Sequence, residues 1–138
     1  YIEDRHLEQL AKTNMTVGYC PRASAYFGHA NHRYEEMRLS GISVALGTDS
    51  LICLDTPDRI SVLDEMRFLY QQGCTDVSVL VSMATVRGAE ALGEDPTLLT
   101  FETGRIAGLL LVGSENESTF DQVMQSNDMP TWILPLIS

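Results

Sequence analysis

"ISVALGTDS", residues 42–50, decides how this chain is read. Ile42 to Leu46 is short, apolar and free of regular polar alternation, as in a strand covered on both faces. It stops at Gly47-Thr48-Asp49-Ser50, with a carboxylate just beyond its C-terminal end. A matching run lies upstream. Met15 to Cys20 (MTVGYC) is apolar, partly β-branched and closed by Pro21, and predicts another buried strand. Between them, residues 32–40 (HRYEEMRLS) fit a short helix stopped by Gly41. Strand, helix, strand is the alternation of a parallel sheet in an α/β fold. In such sheets ligands and reacting groups gather at the C-terminal ends of the strands, where Asp49 stands.

Outward from this unit, the first residues read as a helix, with Leu7, Leu10 and Ala11 on one face, Ile2 one turn before, and Thr13-Asn14 as its end. A chain opening mid-pattern without an initiator Met reads equally as a piece of something longer or as a native N-terminal helix whose Met has been removed. Arg22 to Asn31 reads as a loop, and so does 47–60. Ser61 to Gln72 is a strong helix with Val62, Met66, Leu69 and Tyr70 as its apolar face. Ser61 and Asp64 stand at capping-box spacing, and Gly73 is its stop. Asp76–Met83 and Val86–Leu92 predict two short helices. Thr103-Gly104-Arg105 predicts a turn into a strand over Ile106–Val112. Ser118–Gln125 fits a further helix, and Thr131–Leu134 a final extended piece.

Composition limits the partners. The chain has 138 residues, enough for a real core, and 19 acidic against 9 basic residues give a net charge of −10. Nucleic acids and anionic membranes select basic surfaces, so neither is expected as a partner. No apolar run is long enough to span a bilayer. Three cysteines without CxxC spacing predict neither a disulfide framework nor a zinc knuckle, and favour a reducing cytoplasm with buried, inert thiols.

Several side chains are candidates for chemistry. Asp49 can ligate a metal or accept a proton, with Thr48 and Ser50 placed to orient it, although capping the next turn is an equal use of such an Asp. Arg22 holds the corresponding place after the first strand. It can grip a carboxylate or phosphate with two nitrogens, or simply form a surface ion pair. His29 and His32 make an HxxH, but in a loop with no third donor nearby. His29 lining a pocket with Tyr26 and Phe27 is the better reading. His6 falls on the charged side of the first helix and is expected to be solvated.

The ordered motifs resemble the amidohydrolase superfamily, in the branch of triazine hydrolases and guanine, cytosine and aminodeoxyfutalosine deaminases. "VALGTDS" resembles its eighth-strand motif. "CPRASAYFGHANHRYEEMRLSGISVALGTDS" resembles strand seven, its loop and strand eight. "SVLDEMRFL" resembles the next helix, "LVSMATVRGAEALG" the helical segment after the barrel, and "ETGRIAGLLLV" the returning strand of the accessory β-sandwich. The resemblance implies the C-terminal part of a metal-dependent (β/α)8 barrel, its last two strands and their helices over residues 1–93. Residues 94–138 would then be a tail with the sandwich strand. Such a barrel takes about 250 residues, more than this chain supplies.

The resemblance further implies hydrolysis of C–N or C–Cl bonds by metal-activated water, foremost deamination of a nucleobase, nucleoside or related heterocycle. The divalent metal, zinc or iron, would take Asp49 as one ligand and as proton acceptor, its other ligands lying upstream. Arg22, Tyr26, Phe27, His29 and Ser50 would face the substrate. The acidic loop "LICLDTPDR" replaces the Asn and Ala residues common in relatives. Two other readings were weighed. One is a non-catalytic, self-associating piece, since two barrel strands leave open edges, and a homo-oligomer is expected either way. The other is a haloacid dehalogenase-like phosphohydrolase, loosely echoed by "GTDSLICLD" but lacking the DxD that its chemistry needs.

Overall fold

A computed structural model describes residues 2–29, 31–56, 58–74, 76–101, 106–113 and 119–134. Helix α1 (Asp4–Leu10) leads into strand β1 (Thr16–Tyr19). Helices α2 (Pro21–Tyr26) and α3 (Tyr34–Leu39) then carry the chain back to β2 (Ser43–Leu46). β1 and β2 pair in parallel, Thr16 opposite Ser43 and Tyr19 opposite Leu46. The Gly47 N–H donates to the Tyr19 carbonyl at 2.8 Å and carries the ladder one step past the strand end.

Tyr19, Val44 and Leu46 are buried in a core shared with Tyr34 and Met37 of α3. Onto it pack α4 (Val62–Gln71) with Met66 and Leu69, and α5 (Val77–Ala84) with Leu80 and Met83. Each such side chain contributes roughly 1.5–3 kcal/mol by leaving water. Helix α6 (Val86–Leu92) follows and closes at Gly93, whose φ of 74° is the left-handed stop that glycine adopts without a Cβ clash. A second, antiparallel pair joins β3 (Leu109–Leu111) to β4 (Thr131–Leu134). Helix α7 (Phe120–Gln125) lies between them in sequence and buries Met124 in the main core. No helix among the described residues is long and apolar enough to cross a membrane.

Several expectations are corrected. Arg22 to Asn31 opens with helix α2 rather than loop, because Pro21 occupies its first turn, where the missing N–H costs nothing. β2 is buried as expected, but Gly18 on β1 is exposed, so β1 is not covered on both faces. The Ser61 hydroxyl makes no capping bond, and Asp64 turns to arginines instead. His6 is no free surface group: its Nδ1 accepts the Glu3 N–H at 3.1 Å. The strand expected over Ile106–Val112 is confined to Leu109–Leu111, and loop 47–60 contains a 3-10 turn over Leu51–Cys53. The turn at 103–105 and the start of the helix at Ser118 lie outside the described residues.

Candidate functional site

The turn after β2 is built by a close approach. A Cβ on Gly47 would stand 3.1 Å from the Cys20 Sγ, so a side chain there would push the thiol back by a few tenths of an ångström. The Cys20 thiol is pushed up by burial and by the nearby Asp49 and Glu65 carboxylates, and so stays protonated. Cys53 is buried, whereas Cys20 and Cys74 are only partly so.

Asp49 has a φ of 57°, the only non-glycine residue with positive φ among the described residues. That conformation costs an L-residue about 1–2 kcal/mol, less for Asp than for most. Its side chain is exposed and makes no hydrogen bond or ion pair among the described residues. Ser50 does not orient it. Its oxygen accepts the Ile52 N–H at 3.4 Å and caps the 3-10 turn. The Asp49 backbone hydrogen-bonds the Cys20 sulfur, while its carboxylate is left free at the strand end in a strained backbone, the situation in which strain points to function.

Arg22 has a different setting. Its side chain is 5% exposed and faces Glu65, which is 0% exposed. The Arg22 Nε donates to Glu65 Oε1 at 2.7 Å, and the Arg22 backbone N–H donates to Oε2 at 3.0 Å. Its Nη1 donates to Asp55 at 3.0 Å and to the Thr56 hydroxyl at 2.9 Å. Arg59 and Arg67 converge on Asp64 beside it. Burial pushes the Asp64 carboxyl up, but the hydrogen bonds from both guanidinium groups outweigh it and hold the carboxyl below its usual range. At Glu65 burial wins over Arg22, and the carboxyl sits above its usual range.

Tyr26, Phe27 and His29 are brought together, all exposed. Tyr26 meets Phe27 edge-on with ring centroids 5.1 Å apart, and Phe27 lies 6.5 Å from His29. Gly28, with φ 74°, turns the chain so that the His29 N–H reaches the Ser24 carbonyl at 2.8 Å. His29 and His32 line a common cleft of about 280 Å³. His32 stacks on Tyr19 at 3.9 Å, and burial lowers its pKa, keeping the ring neutral.

Sequence reading missed Glu65 and the partners of Asp64. A signal was present: Glu65 stands three residues after Val62 and four before Leu69, inside the apolar stripe of α4. An acid in that stripe must find a cation. The divalent metal implied by resemblance needs about four donors. No three His, Cys, Asp or Glu side chains among the described residues come close enough to hold one. The described residues do not by themselves fit the ion, and Asp49 offers one free carboxylate toward it.

Comparison with known proteins gives the family. The model of the amidohydrolase family matches residues 1–130. A 5-methylthioadenosine/S-adenosylhomocysteine deaminase of Halothermothrix orenii is 30% identical over 125 residues, covering 87% of this chain and 28% of that protein. The enzyme of the same name from Moorella thermoacetica is 30% identical over 117 residues, covering 81% and 27%. An S-triazine hydrolase of Gordonia rubripertincta is 22% identical over 124 residues, covering 86% and 26%. The chain spans about a quarter of the length of these curated relatives. With a family model matched over nearly its whole length, the chain belongs to the amidohydrolase family.

Proposed function

We propose that this chain forms the C-terminal part of a metal-dependent hydrolase that deaminates a nitrogen heterocycle of the nucleobase or nucleoside class. β1 and β2 are then the last two strands of its barrel. Residues 1–93 belong to that barrel, and 94–138 to a tail carrying a strand of an accessory sandwich. The observation that carries this reading is Asp49: exposed, unpartnered, strained and standing just past the end of a parallel strand. The deaminase and triazine hydrolase names of the relatives support the substrate class.

Asp49 would be one ligand of a divalent metal, zinc or iron, whose other donors would lie outside the described residues. Such an ion would supply hydroxide at neutral pH, and the free Asp49 carboxylate is placed to take a proton from water. Tyr26, Phe27 and His29 flank the heterocycle with aromatic surface, and Ser50 fixes the turn beneath it. In the intact protein, Asp49→Ala lowers deamination of purine nucleosides by about 10²–10⁴-fold, the scale of a lost proton acceptor. Chelation abolishes the activity and added zinc or iron restores it. Full activity in Asp49→Ala would remove the assignment.

A further inference from the structure

The Arg22 guanidinium has two edges in different use. The inner edge is committed, with Nε and the backbone N–H holding buried Glu65. The outer edge is only half in use, with Nη1 donating to the Thr56 hydroxyl at 2.9 Å as well as to Asp55. Its Nη1 holds the Asp55 carboxylate by one oxygen at 3.0 Å, and Asp55 is 80% exposed. Its Nη2 is buried and has no hydrogen-bond partner among the described residues. Nη1 and Nη2 together form the end-on fork that a carboxylate spans with both oxygens. Asp55 fills half of that fork from a solvent-exposed loop.

A cavity of about 330 Å³ adjoins the fork, lined also by Arg59, Asp64, Arg67, Gln71 and Asn127. That is the size of a small-molecule pocket. The outer partner of Arg22 is Asp55 alone among the carboxylates, since Asp58 acts on Arg59 and Asp64 is held by Arg59 and Arg67. With Asp55 swung into solvent, Arg22 keeps only Glu65. An incoming carboxylate replaces the lost partner, and the idle Nη2 gives it a second hydrogen bond that Asp55 does not make.

We propose that this cavity is a carboxylate-binding subsite, that Arg22 is its anchor, and that Asp55 is a placeholder displaced by a carboxylate on the substrate. Cys20, two residues before Arg22, ties the subsite to the strand-end turn, since its sulfur takes a hydrogen bond from the Asp49 backbone. The proposal rests on the hydrolase reading for the ligand being a substrate, and on geometry for where its carboxylate goes. A binding measurement without turnover lets the two fail separately.

The test is calorimetric titration of the intact protein with sodium benzoate, its uncharged counterpart benzamide, and inorganic phosphate. Benzoate binds saturably, benzamide does not, and tetrahedral phosphate binds more weakly than benzoate. Asp55→Asn weakens the placeholder and tightens benzoate by about fivefold, the worth of an exposed ion pair. Asp58→Asn removes an equal charge from the same loop and leaves the affinity within about twofold. Arg22→Lys keeps the charge, loses the fork, and loses binding. Because Arg22→Lys also disturbs Glu65, the Asp55 and Asp58 pair decides the matter if that variant does not fold. The proposal is overturned if benzoate does not bind Asp55→Asn, if benzamide or phosphate binds as well as benzoate, or if the two loop variants behave alike.

Discussion

Two acids in this chain, Glu65 in the first turn of α4 and Asp49 in the turn after β2, receive opposite treatment. Glu65 is sealed from solvent and held by the Nε and backbone N–H of Arg22. Asp49 is exposed and held at a positive φ, and its carboxylate is bonded to nothing among the described residues. The first is an anchor: it fixes α2 against α4, and so fixes the loop that bears Tyr26, Phe27 and His29. The second is an acid left available. A carboxylate sealed from solvent and tied to arginine cannot reach a metal or an attacking water, whereas an exposed one with unbonded oxygens can.

The contrast is broken most sharply at the anchor. Glu65→Ala leaves the Arg22 charge buried without its main partner, which costs about 3–5 kcal/mol. Equilibrium urea denaturation measures it, and a loss below about 1 kcal/mol would show that Glu65 anchors nothing. Glu65→Gln keeps an acceptor for Arg22 and falls between wild type and Glu65→Ala.

A smaller effect is expected where the strand ends meet. Gly47→Ala drives a methyl to 3.1 Å from the Cys20 sulfur, so the thiol must move by a few tenths of an ångström. Overpacking of this kind costs about 1–3 kcal/mol. Cys20→Ala in the same protein makes room and recovers most of the loss in a double-mutant cycle. Additive losses would mean that Gly47 is required for its backbone and not for the contact.

The pH dependence separates the buried acids from each other. Asp64 has its carboxyl held low, so its stabilisation is present above its ordinary value of 3.8 and is lost as pH falls through the folded-state value. The advantage of wild type over Asp64→Asn therefore shrinks on acidification. Glu65 has its carboxyl held high. Its favourable contribution is present below the ordinary value of 4.5 and is lost as pH rises through the folded-state value. The gap between wild type and Glu65→Gln should narrow as pH rises. Thermal melts between about pH 3 and 7 read both, and parallel curves would contradict the assignment.

What was legible in the sequence follows from how local each feature is. β2 announces itself through an apolar run closed by glycine, and α4 through its spaced Val62, Met66 and Leu69, because burial of a face writes a period into the chain. Helix α2 was hidden because its six residues are too few for a period to show, and because Pro21 marks a helix start as readily as a strand end. Asp49 could be placed at a strand end, but its left-handed backbone could not be foreseen, since an aspartate does not declare its φ as a glycine does. The reach of Asp55 to Arg22, 33 residues away in sequence, was beyond local reading altogether. That contact depends on which way a loop folds over a helix, and no spacing encodes it.

The smallest effect falls on Asp49 itself and separates function from structure. Asp49→Gly relieves a positive φ that costs an L-residue about 1–2 kcal/mol. The gain is offset by the extra freedom of glycine in the unfolded chain, worth roughly 0.5–1 kcal/mol. The net change is a stabilisation of up to about 1 kcal/mol. The same substitution removes the carboxylate and with it the proposed proton acceptor. A variant at least as stable as wild type, yet inactive, is what an acid held in place for chemistry alone predicts. Glu65 should show the reverse, a large loss of stability on removal. If Asp49→Gly instead destabilised the protein by more than about 1 kcal/mol, the exposed acid would share the structural role of the buried one, and the contrast between them would fail.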